Sequence, residues 1–283
     1  MSAKFGPAGN SQSFKDLGYK HSLEVPEYIL KMGLDTYEYQ CGRGVNIGLD
    51  KASELGEAAR KSGITLSLHA PYFISMSSLE PEKRDNSIGY ILKSAEAVNA
   101  MGGNRIVVHT GSCAKISRAE ALELAKDTMK KAVKALDEAN LGNIHICPET
   151  MGKVNQLGNL DEVMELCLID ERIIPCIDFG HLNARDLGYF KSLEDYKIVF
   201  ETIKNKLGNY RLENFHSHFS KIEYTTGGEK RHLTFEDDVF GPDFEPVMEL
   251  TVKYGCSPVF ICESAGTQAE DAKTMKDYYK GLL

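Results

Sequence analysis

Residues 105–150 read RIVVHTGSCAKISRAEALELAKDTMKKAVKALDEANLGNIHICPET, and this stretch decides the fold. Short apolar runs stand at residues 105–109 and 144–149, and apolar residues recur at helical spacing over residues 118–140 between them. A strand, a long helix and a second strand in this order predict a βαβ unit with two parallel strands.

The same alternation continues along the chain in both directions from that unit. Strands are predicted at residues 4–7, 35–40, 65–69, 105–109, 144–149, 173–178, 212–218 and 259–263. Helices are predicted at residues 24–32, 50–62, 83–101, 118–140, 160–167, 193–206, 244–254 and 269–279. Eight strands that alternate with eight helices predict an α/β fold of the (β/α)8 TIM-barrel type.

An open doubly wound sheet is the other common way to join βαβ units. It would need a glycine-rich phosphate turn after an early strand, and Gly42-Arg43-Gly44 is too short for that turn. Because no linker or break in composition divides the chain, we expect residues 1–283 to form a single TIM-barrel domain.

Composition limits the classes of protein to which the chain can belong. With 42% hydrophobic residues and no run of about 18 uncharged apolar residues, the sequence is typical of neither a disordered nor a membrane-spanning protein. The first residues lack a charged segment followed by an apolar stretch, so we expect no secretory signal. Seven cysteines form an odd set without a CxxC pair and lie mostly in apolar runs, which predicts reduced thiols and a cytoplasmic location.

The net charge bears on the kind of substrate. Thirty-three Lys and Arg residues against 41 Asp and Glu residues give a formal charge of −8, which argues against binding nucleic acid mainly by counterion release. Taken alone, this charge favours an enzyme that acts on small molecules. Bound divalent cations would offset carboxylates that cluster in a site, so the charge makes a nucleic-acid substrate less expected without excluding it.

Polar side chains end six of the eight predicted strands. These residues are His69, His109, Glu149, Asp178, His216 and Glu263. The carboxyl ends of parallel barrel strands open on one face, so the six side chains converge there. Converging carboxylates repel one another unless cations bind, and imidazole with carboxylate is the usual ligand set for Zn²⁺, Mn²⁺ or Fe²⁺. A single histidine at a strand end is more often a hydrogen-bonded core residue, but the whole set predicts a metal centre.

Two further histidines extend this set. His181 follows Asp178 by three residues, across the exit from a strand into a loop. His232 ends a glycine-rich loop at residues 227–232, where a functional role is favoured over a structural one. His21 and His145 have no comparable placement, and we interpret both as structural.

Six motifs give the chain its resemblance to a known family. They are His69-Ala-Pro-Tyr72, His109-Thr-Gly-Ser112, Pro148-Glu149-Thr150, Asp178-Phe-Gly-His181, His216 with Lys221 five residues later, and Cys262-Glu263-Ser264. In these motifs the sequence resembles the endonuclease IV family of apurinic/apyrimidinic (AP) endonucleases (family 2), within the xylose-isomerase-like barrels. The resemblance implies a zinc-dependent hydrolase of DNA repair, a monomer that binds double-stranded DNA and cleaves the phosphodiester 5′ to an abasic site.

The resemblance also implies roles for individual residues around two or three Zn²⁺ ions, for which Mn²⁺ is an alternative. The implied metal ligands are His69, His109 and Glu149 for the first ion, Glu149, Asp178, His216 and Glu263 for the second, and His181 and His232 for the third. Glu149 or Glu263 would orient the nucleophile as the catalytic carboxylate. Tyr72 falls where the family places a side chain into the DNA, and Arg43 on the preceding βα loop would assist it.

The loop for the third metal departs from the family pattern. That pattern is Asp-x-His, whereas Lys230 stands two residues before His232 in this chain. Either the lysine ammonium supplies part of the charge of the third metal, or Glu229 becomes the ligand.

A second departure follows the seventh predicted strand. The family has Asn-Asp after its ligand histidine, whereas this chain has His218-Phe219. His216 and His218 are two residues apart, so both can face the barrel interior. The spacing to Lys221 favours His216 as the ligand, and His218 is the alternative.

Two other functions are compatible with parts of this pattern. A sugar isomerase or epimerase of the same barrel group would use one Mn²⁺ or Mg²⁺, held by Glu149, Asp178, His216 and Glu263. It has no need of His69, His109 and His232 as ligands, and these histidines favour the nuclease. A barrel that binds a ligand without turnover would predict loss of the first two metal sites, which the sequence retains.

Overall fold

Ten strands are present within residues 2–283, the part of the chain that the computed structural model describes. In chain order they are β1 (Lys4–Pro7), β2 (Thr36–Gln40), β3 (Thr65–His69), β4 (Arg105–Val108), β5 (His145–Pro148), β6 (Cys176–Asp178), β7 (His216–Phe219), β8 (Ile222–Thr225), β9 (Gly228–His232) and β10 (Val259–Cys262). Strands β8 and β9 form an antiparallel hairpin, and the other eight strands pair in parallel.

The eight parallel strands close into a ring. Four of them pair in the order β1-β10-β7-β6, and the other four in the order β2-β3-β4-β5. Parallel bridges between Ala8 and Glu38 and between Glu149 and Cys176 join the two halves. Every strand of the ring therefore has a parallel neighbour on both sides, and the predicted α/β barrel is confirmed.

Helices alternate with these strands along the chain. They are α1 (Gln12–Asp16), α2 (Val25–Lys31), α3 (Leu49–Lys61), α4 (Pro81–Ala100), α5 (Arg118–Glu138), α6 (Leu160–Cys167), α7 (Phe179–Arg185), α8 (Leu193–Leu207), α9 (Asn209–Asn214), α10 (Glu245–Tyr254) and α11 (Gln268–Gly281), with a 3-10 turn at Ser22–Glu24. Each of the eight predicted helices is present, with its ends within two residues of the prediction. Within the described residues, no helix has the length and apolar character needed to cross a membrane.

Two strands are shorter than predicted at their beginnings. The strand predicted at residues 173–178 begins only at Cys176, because Pro175 has no N–H group to donate to a neighbouring strand. The strand predicted at residues 212–218 begins at His216, because residues 209–214 form the short helix α9. Leu212, the first residue of the predicted strand, is instead buried on one face of that helix.

Three candidate ligands lie one residue beyond the end of a strand. They are His109, Glu149 and Glu263, which follow β4, β5 and β10. Each is therefore the first residue of a loop at the carboxyl end of the barrel. Unpredicted elements at the same end include helix α7, which follows β6 directly, and the β8–β9 hairpin, which replaces the predicted glycine-rich loop.

The barrel interior carries polar as well as apolar side chains. Side chains along a strand point alternately to the interior and to the surrounding helices. Glu38 on β2 and both His216 and His218 on β7 are completely buried. Beside them lies a small apolar cluster that is separate from the main core, formed by Val107, Cys147, Ile174 and Cys176.

Closure of the ring between β1 and β2 leaves no space for a side chain at Gly6. A Cβ atom at this position would lie 1.8 Å from the carbonyl oxygen of Thr36. We expect Gly6→Ala to lower the free energy of unfolding by about 2 kcal/mol or more, because the two strands must separate to admit the methyl group.

Urea unfolding followed by circular dichroism measures this effect, with Gly89→Ala as the matched control. Gly89 lies inside α4 and a Cβ atom there would meet nothing within 4 Å. Alanine at position 89 should therefore stabilise the protein by up to about 1 kcal/mol through its higher helix propensity. Equal stability of Gly6→Ala and the unchanged protein would contradict the tight closure.

Candidate metal centre

A cavity of about 260 Å³ opens at the carboxyl end of the barrel. Its lining includes most of the predicted ligands and also Glu229, which the sequence predicts as an alternative ligand of the third metal. These residues are His69, His109, Glu149, His181, His232 and Glu263, with Glu229 as the alternative. Asp178 and His218 are fully buried and contact this set. The structure therefore brings the strand-end residues together, as the barrel geometry predicts.

The first group of donors consists of His69, His109 and Glu149. Glu149 Oε2 lies 3.5 Å from His69 Nε2 and 3.3 Å from His109 Nε2. His69 Nδ1 lies 2.9 Å from the carbonyl oxygen of Ala70, and a carbonyl only accepts, so Nδ1 carries a proton. His69 Nε2 is left to face Glu149, where it holds either a proton or a metal ion.

The second group consists of Glu149, Asp178, His218 and Glu263. His218 Nδ1 lies 2.9 Å from Glu149 Oε1 and 3.7 Å from Glu263 Oε1. Glu149 thus presents Oε2 to the first group and Oε1 to the second. A carboxylate in this position can bridge two metal ions.

The third group consists of His181, Glu229 and His232. His181 Nδ1 donates to the carbonyl oxygen of Thr150 at 2.9 Å, and its Nε2 lies 3.4 Å from Glu229 Oε2. His232 Nδ1 is 2.8 Å from the hydroxyl of Ser220. Each ring is therefore anchored by one nitrogen and keeps the other available within the group.

A β-bulge in the hairpin brings Glu229 into this group. The backbone register of the hairpin pairs β9 with β8 at three positions: His232 with Ile222, Arg231 with Glu223, and Glu229 with Tyr224. Lys230 is the extra residue, which this register pairs with no residue of β8. The bulge turns Lys230 outward, where its Nζ atom bonds Glu223 at 2.6 Å. Of the two alternatives for the third metal, the geometry therefore favours Glu229 over Lys230.

His216 lies apart from the three groups that face the cavity. Its Nε2 atom is 2.9 Å from Glu38 Oε2, and its Nδ1 atom is buried without a hydrogen-bond partner in residues 2–283. The geometry favours the alternative, His218, as the metal donor on β7. In the sequence, the spacing to Lys221 favours His216. That spacing is not decisive, because His216 and His218 share one face of β7 and only their depth in the barrel separates them.

Glu38 is a site residue that the sequence reasoning missed. Its Oε1 atom accepts a hydrogen bond from His218 Nε2 at 2.9 Å, which leaves His218 Nδ1 to face Glu149. Ser67 donates to the other oxygen of Glu38 at 3.0 Å. The only signal in the sequence is an acidic residue between two tyrosines in a predicted strand, which places a carboxylate on the interior face.

The electrostatics of the site fit a bound cation. Burial alone would raise the pKa of Glu149, but the charge of His218 and the close approach of His109, His181 and His218 hold it well below its usual range. Burial raises the pKa of Asp178, with the charges of Glu149 and Glu263 acting in the same direction. Glu149 Oε2 and Asp178 Oδ2 are buried and accept no hydrogen bond within residues 2–283. Carboxylate oxygens and imidazole nitrogens placed in this way are suitable ligands for divalent transition metals.

Of the two residues predicted to contact DNA, only Tyr72 lines the cavity. This residue is 54% exposed at the rim, and its ring centroid lies 4.5 Å from that of Phe73. Arg43 is exposed on the loop after β2, next to Gly42, and remains outside the cavity lining. Tyr72 is therefore accessible to a ligand above the donor groups.

The family follows from a comparison with known sequences. The sequence profile of the xylose isomerase-like TIM barrel family matches residues 26–280. The chain belongs to this family. The match covers the barrel from α2 into α11, and so includes all the donor groups described above.

Two relatives of this xylose isomerase-like barrel differ in what is known of them. An uncharacterized protein of Methanocaldococcus jannaschii is 33% identical over 97% of this chain and 96% of its own length. A protein of Mycoplasma pneumoniae named probable endonuclease 4 is 29% identical over 69% of this chain and 66% of its own length. The chain thus aligns with slightly less than two thirds of that endonuclease relative.

Solved structures of this barrel type include both nucleases and sugar epimerases. A D-tagatose 3-epimerase-like protein has a TM-score of 0.71 at 18% identity, covering 99% of this chain and 97% of its own. Endonuclease IV from Thermus thermophilus has a TM-score of 0.67 at 15% identity, covering 98% of this chain and 99% of its own. At these identities the likeness shows the fold of the xylose isomerase-like barrel alone.

The two histidines of β7 can be separated by their effect on metal content. We expect His218→Gln to lower the divalent-metal content of the purified protein by about one equivalent, because it removes the Nδ1 donor from the second group. His216→Gln should leave the content unchanged, since glutamine can still donate to Glu38. Elemental analysis after dialysis checks both variants, and a loss confined to His216→Gln would reverse the assignment.

Metal affinity should depend on pH because protons occupy the donor groups of the metal-free protein. Burial lowers the pKa of His69, but the carboxylate of Glu149 3.5 Å away and the charges of Glu38 and Glu263 outweigh burial and raise the pKa to about 9. Below that pH a metal ion must displace the proton from His69. The affinity for the metal should therefore fall about tenfold for each unit by which the pH is lowered, for each proton displaced.

Competition with a chelator of known affinity, between about pH 6 and 8, measures this slope. His69→Asn should show a slope that is smaller by one proton, because asparagine does not titrate. An identical slope in the variant would show that the displaced protons come from other groups.

Proposed function

We propose that this chain is a metal-dependent AP endonuclease that hydrolyses the phosphodiester 5′ to an abasic site in double-stranded DNA and acts in DNA repair. The observation that carries the proposal is the set of three adjacent donor groups at one cavity, two of which share Glu149. The relative named probable endonuclease 4 and the fold shared with an endonuclease IV support it.

The number of donors favours a nuclease over a single-metal enzyme. An isomerase that binds one divalent metal needs only a set such as Glu149, Asp178, His218 and Glu263. In this chain four more histidines and a carboxylate face the same cavity, namely His69, His109, His181, His232 and Glu229. Two or three Zn²⁺ ions, or Mn²⁺ in their place, would use all of these donors.

The metal ions would supply Lewis acidity toward the phosphodiester and lower the pKa of water. Glu149 would hold two ions at a fixed separation, since its two oxygens face different donor groups. Glu263 lines the cavity with 16% of its side chain exposed, against 1% for Glu149, so of these two carboxylates it is the one that can reach a water molecule there. In this proposal Glu263 orients the attacking water and accepts its proton.

The dimensions of the cavity suit a nucleotide that has lost its base. A volume of about 260 Å³ holds a sugar and a phosphate. Tyr72 at the rim offers an aromatic surface that can stack against the neighbouring bases. Lys153 also lines the cavity and would attract a phosphate. The overall charge of −8 predicts weak binding to undamaged DNA, so affinity would come from the lesion and the metals.

The proposed enzyme works as a monomer in the cytoplasm. All seven cysteines are free, and six of them are buried. Burial raises the pKa of Cys147 and of Cys256 to about 12, so these thiols stay protonated and unreactive. Free thiols of this kind agree with a reducing compartment.

A sugar epimerase is the second candidate, favoured by the fold shared with the D-tagatose 3-epimerase-like protein. The second donor group alone would hold one Mn²⁺ or Mg²⁺ beside a ketose. Glu149 and Glu263 would then move a proton on and off the carbon next to the carbonyl group. This candidate leaves the first and third donor groups without a function.

A duplex with one tetrahydrofuran abasic analogue provides the test. This analogue cannot undergo β-elimination, so incision on its 5′ side shows hydrolysis. We expect incision with Zn²⁺ or Mn²⁺, and its loss after treatment with a strong chelator. Glu149→Gln should slow incision by about three orders of magnitude, because it disturbs two donor groups at once.

His145→Gln is the control for this variant. His145 bonds the carbonyl oxygen of Arg172 at the opposite end of the barrel, so its replacement should leave incision unchanged. Absence of incision with both metals, together with exchange of the α-proton of a ketose with solvent, would reject the endonuclease and select the epimerase.

A further inference from the structure

A loop at the cavity rim packs between the barrel and the β8–β9 hairpin. This loop, residues 151–158, follows β5, and its side chains at Met151, Lys153 and Gln156 line the cavity. The hairpin carries Glu229 and His232, two of the three donors in the third group. The position of the loop therefore bears directly on that group.

The loop and the hairpin are joined through their backbones. Glu229 N donates to Gly152 O at 3.0 Å, and Val154 N donates to Gly227 O at 3.1 Å. An antiparallel bridge between Lys153 and Gly228 lies between these bonds. In effect the loop adds a third strand to the hairpin, and it fixes the backbone of Glu229.

Arg185, at the end of α7, holds the other side of this loop. Its guanidinium group is buried and donates four hydrogen bonds of 3.0 to 3.2 Å to backbone carbonyls of the loop. The acceptors are the carbonyls of Met151, Lys153, Val154 and Gln156. All four hydrogen bonds go to the loop, so the guanidinium donors of Arg185 serve this segment.

Arg118, in the first turn of α5, also bonds the 151–158 loop. It donates to the carbonyls of Val154 and Gln156 and forms a two-pronged salt bridge with Glu162. Glu162 in turn accepts from the backbone N–H groups of Gly158 and Asn159 at the end of the loop. The two arginines thus share two carbonyls, and Arg185 alone of the two also bonds the carbonyls of Met151 and Lys153, on either side of Gly152.

We propose that Arg185 is a positioning residue for the third metal site: it fixes the 151–158 loop so that the docked hairpin presents Glu229 and His232 to His181. The inference rests on the proposed function in one respect, that the third donor group binds a metal. The fork of the guanidinium suits this role, because one planar group satisfies four carbonyls at fixed positions, whereas an ammonium is a single point of attachment.

Close packing at Gly152 makes the third site sensitive to the loop. A Cβ atom there would lie 2.7 Å from Glu229 Cβ and 2.8 Å from His181 Cδ2. A small shift of the loop therefore moves two donors of the third group at once.

The experiment compares Arg185→Lys with the unchanged protein by two measurements. In the metal-free protein, hydrogen exchange of the peptide containing Glu229 should accelerate about tenfold or more, because the bond to Gly152 opens more often. In zinc titrations, one of three equivalents should bind about 10- to 100-fold more weakly, while the other two keep their affinity. Arg172→Lys is the matched control, since Arg172 bonds Asp170 on the loop before β6, at the opposite end of the barrel.

A second variant tests the same link from the loop. Gly152→Ala keeps Arg185 and should weaken the same equivalent through the contacts with Glu229 and His181. Unchanged exchange and unchanged zinc affinity in Arg185→Lys would overturn the proposal, as would equal weakening of all three equivalents or of the Arg172→Lys control.

Failure of the proposed function gives a different result. If the unchanged protein binds one metal and does not incise the abasic duplex, the endonuclease is rejected. The exchange measurement on the metal-free protein then still decides whether Arg185 holds the hairpin.

Discussion

Glu149 places a carboxylate among four histidine rings at the mouth of the barrel, and the other donors are arranged around its charge. The rings of His69, His109, His181 and His218 all approach its oxygens to 3.5 Å or less. A buried carboxylate without partners is costly, so this position requires compensating positive charge. In the metal-free protein, protons on His69, His181 and His218 provide it, because the neighbouring carboxylates outweigh burial and raise the pKa of each ring. Metal ions at the same positions would replace these protons. Glu149 would therefore have positive charge next to it in both the metal-free and the metal-bound protein.

Most of the histidine rings around Glu149 are also held by hydrogen bonds to groups that are not metal donors. In three of them one nitrogen bonds a group that takes no part in the donor sets: the carbonyl of Ala70 for His69, the carbonyl of Thr150 for His181, and the carboxylate of Glu38 for His218. A ring cannot turn away from the cavity without breaking this bond. The donors are therefore ordered by folding, and a metal ion would find them already in place.

The fold and most of the site follow from sequence patterns that depend on local geometry. Polar residues at strand ends identify Glu149, Asp178 and Glu263, because the barrel brings every strand end to one face. The pattern does not separate His216 from His218, because alternation gives two residues on one face the same direction. Their separation along the strand, about 6.6 Å, decides which of them reaches the other donors. The inward turn of Glu229 depends on pairing across the hairpin, which no local pattern contains.

The β-bulge at Lys230 has a consequence for insertions and deletions in this loop. In a regular strand, one added residue would turn every following side chain to the opposite face. The bulge confines the extra residue to one exposed position, so the side chains on either side of it keep their direction. Hairpins of different length can therefore present the same acid and imidazole to the barrel, with either one or two residues between them. A gain or loss of one residue here changes the spacing of the ligands without dismantling the site.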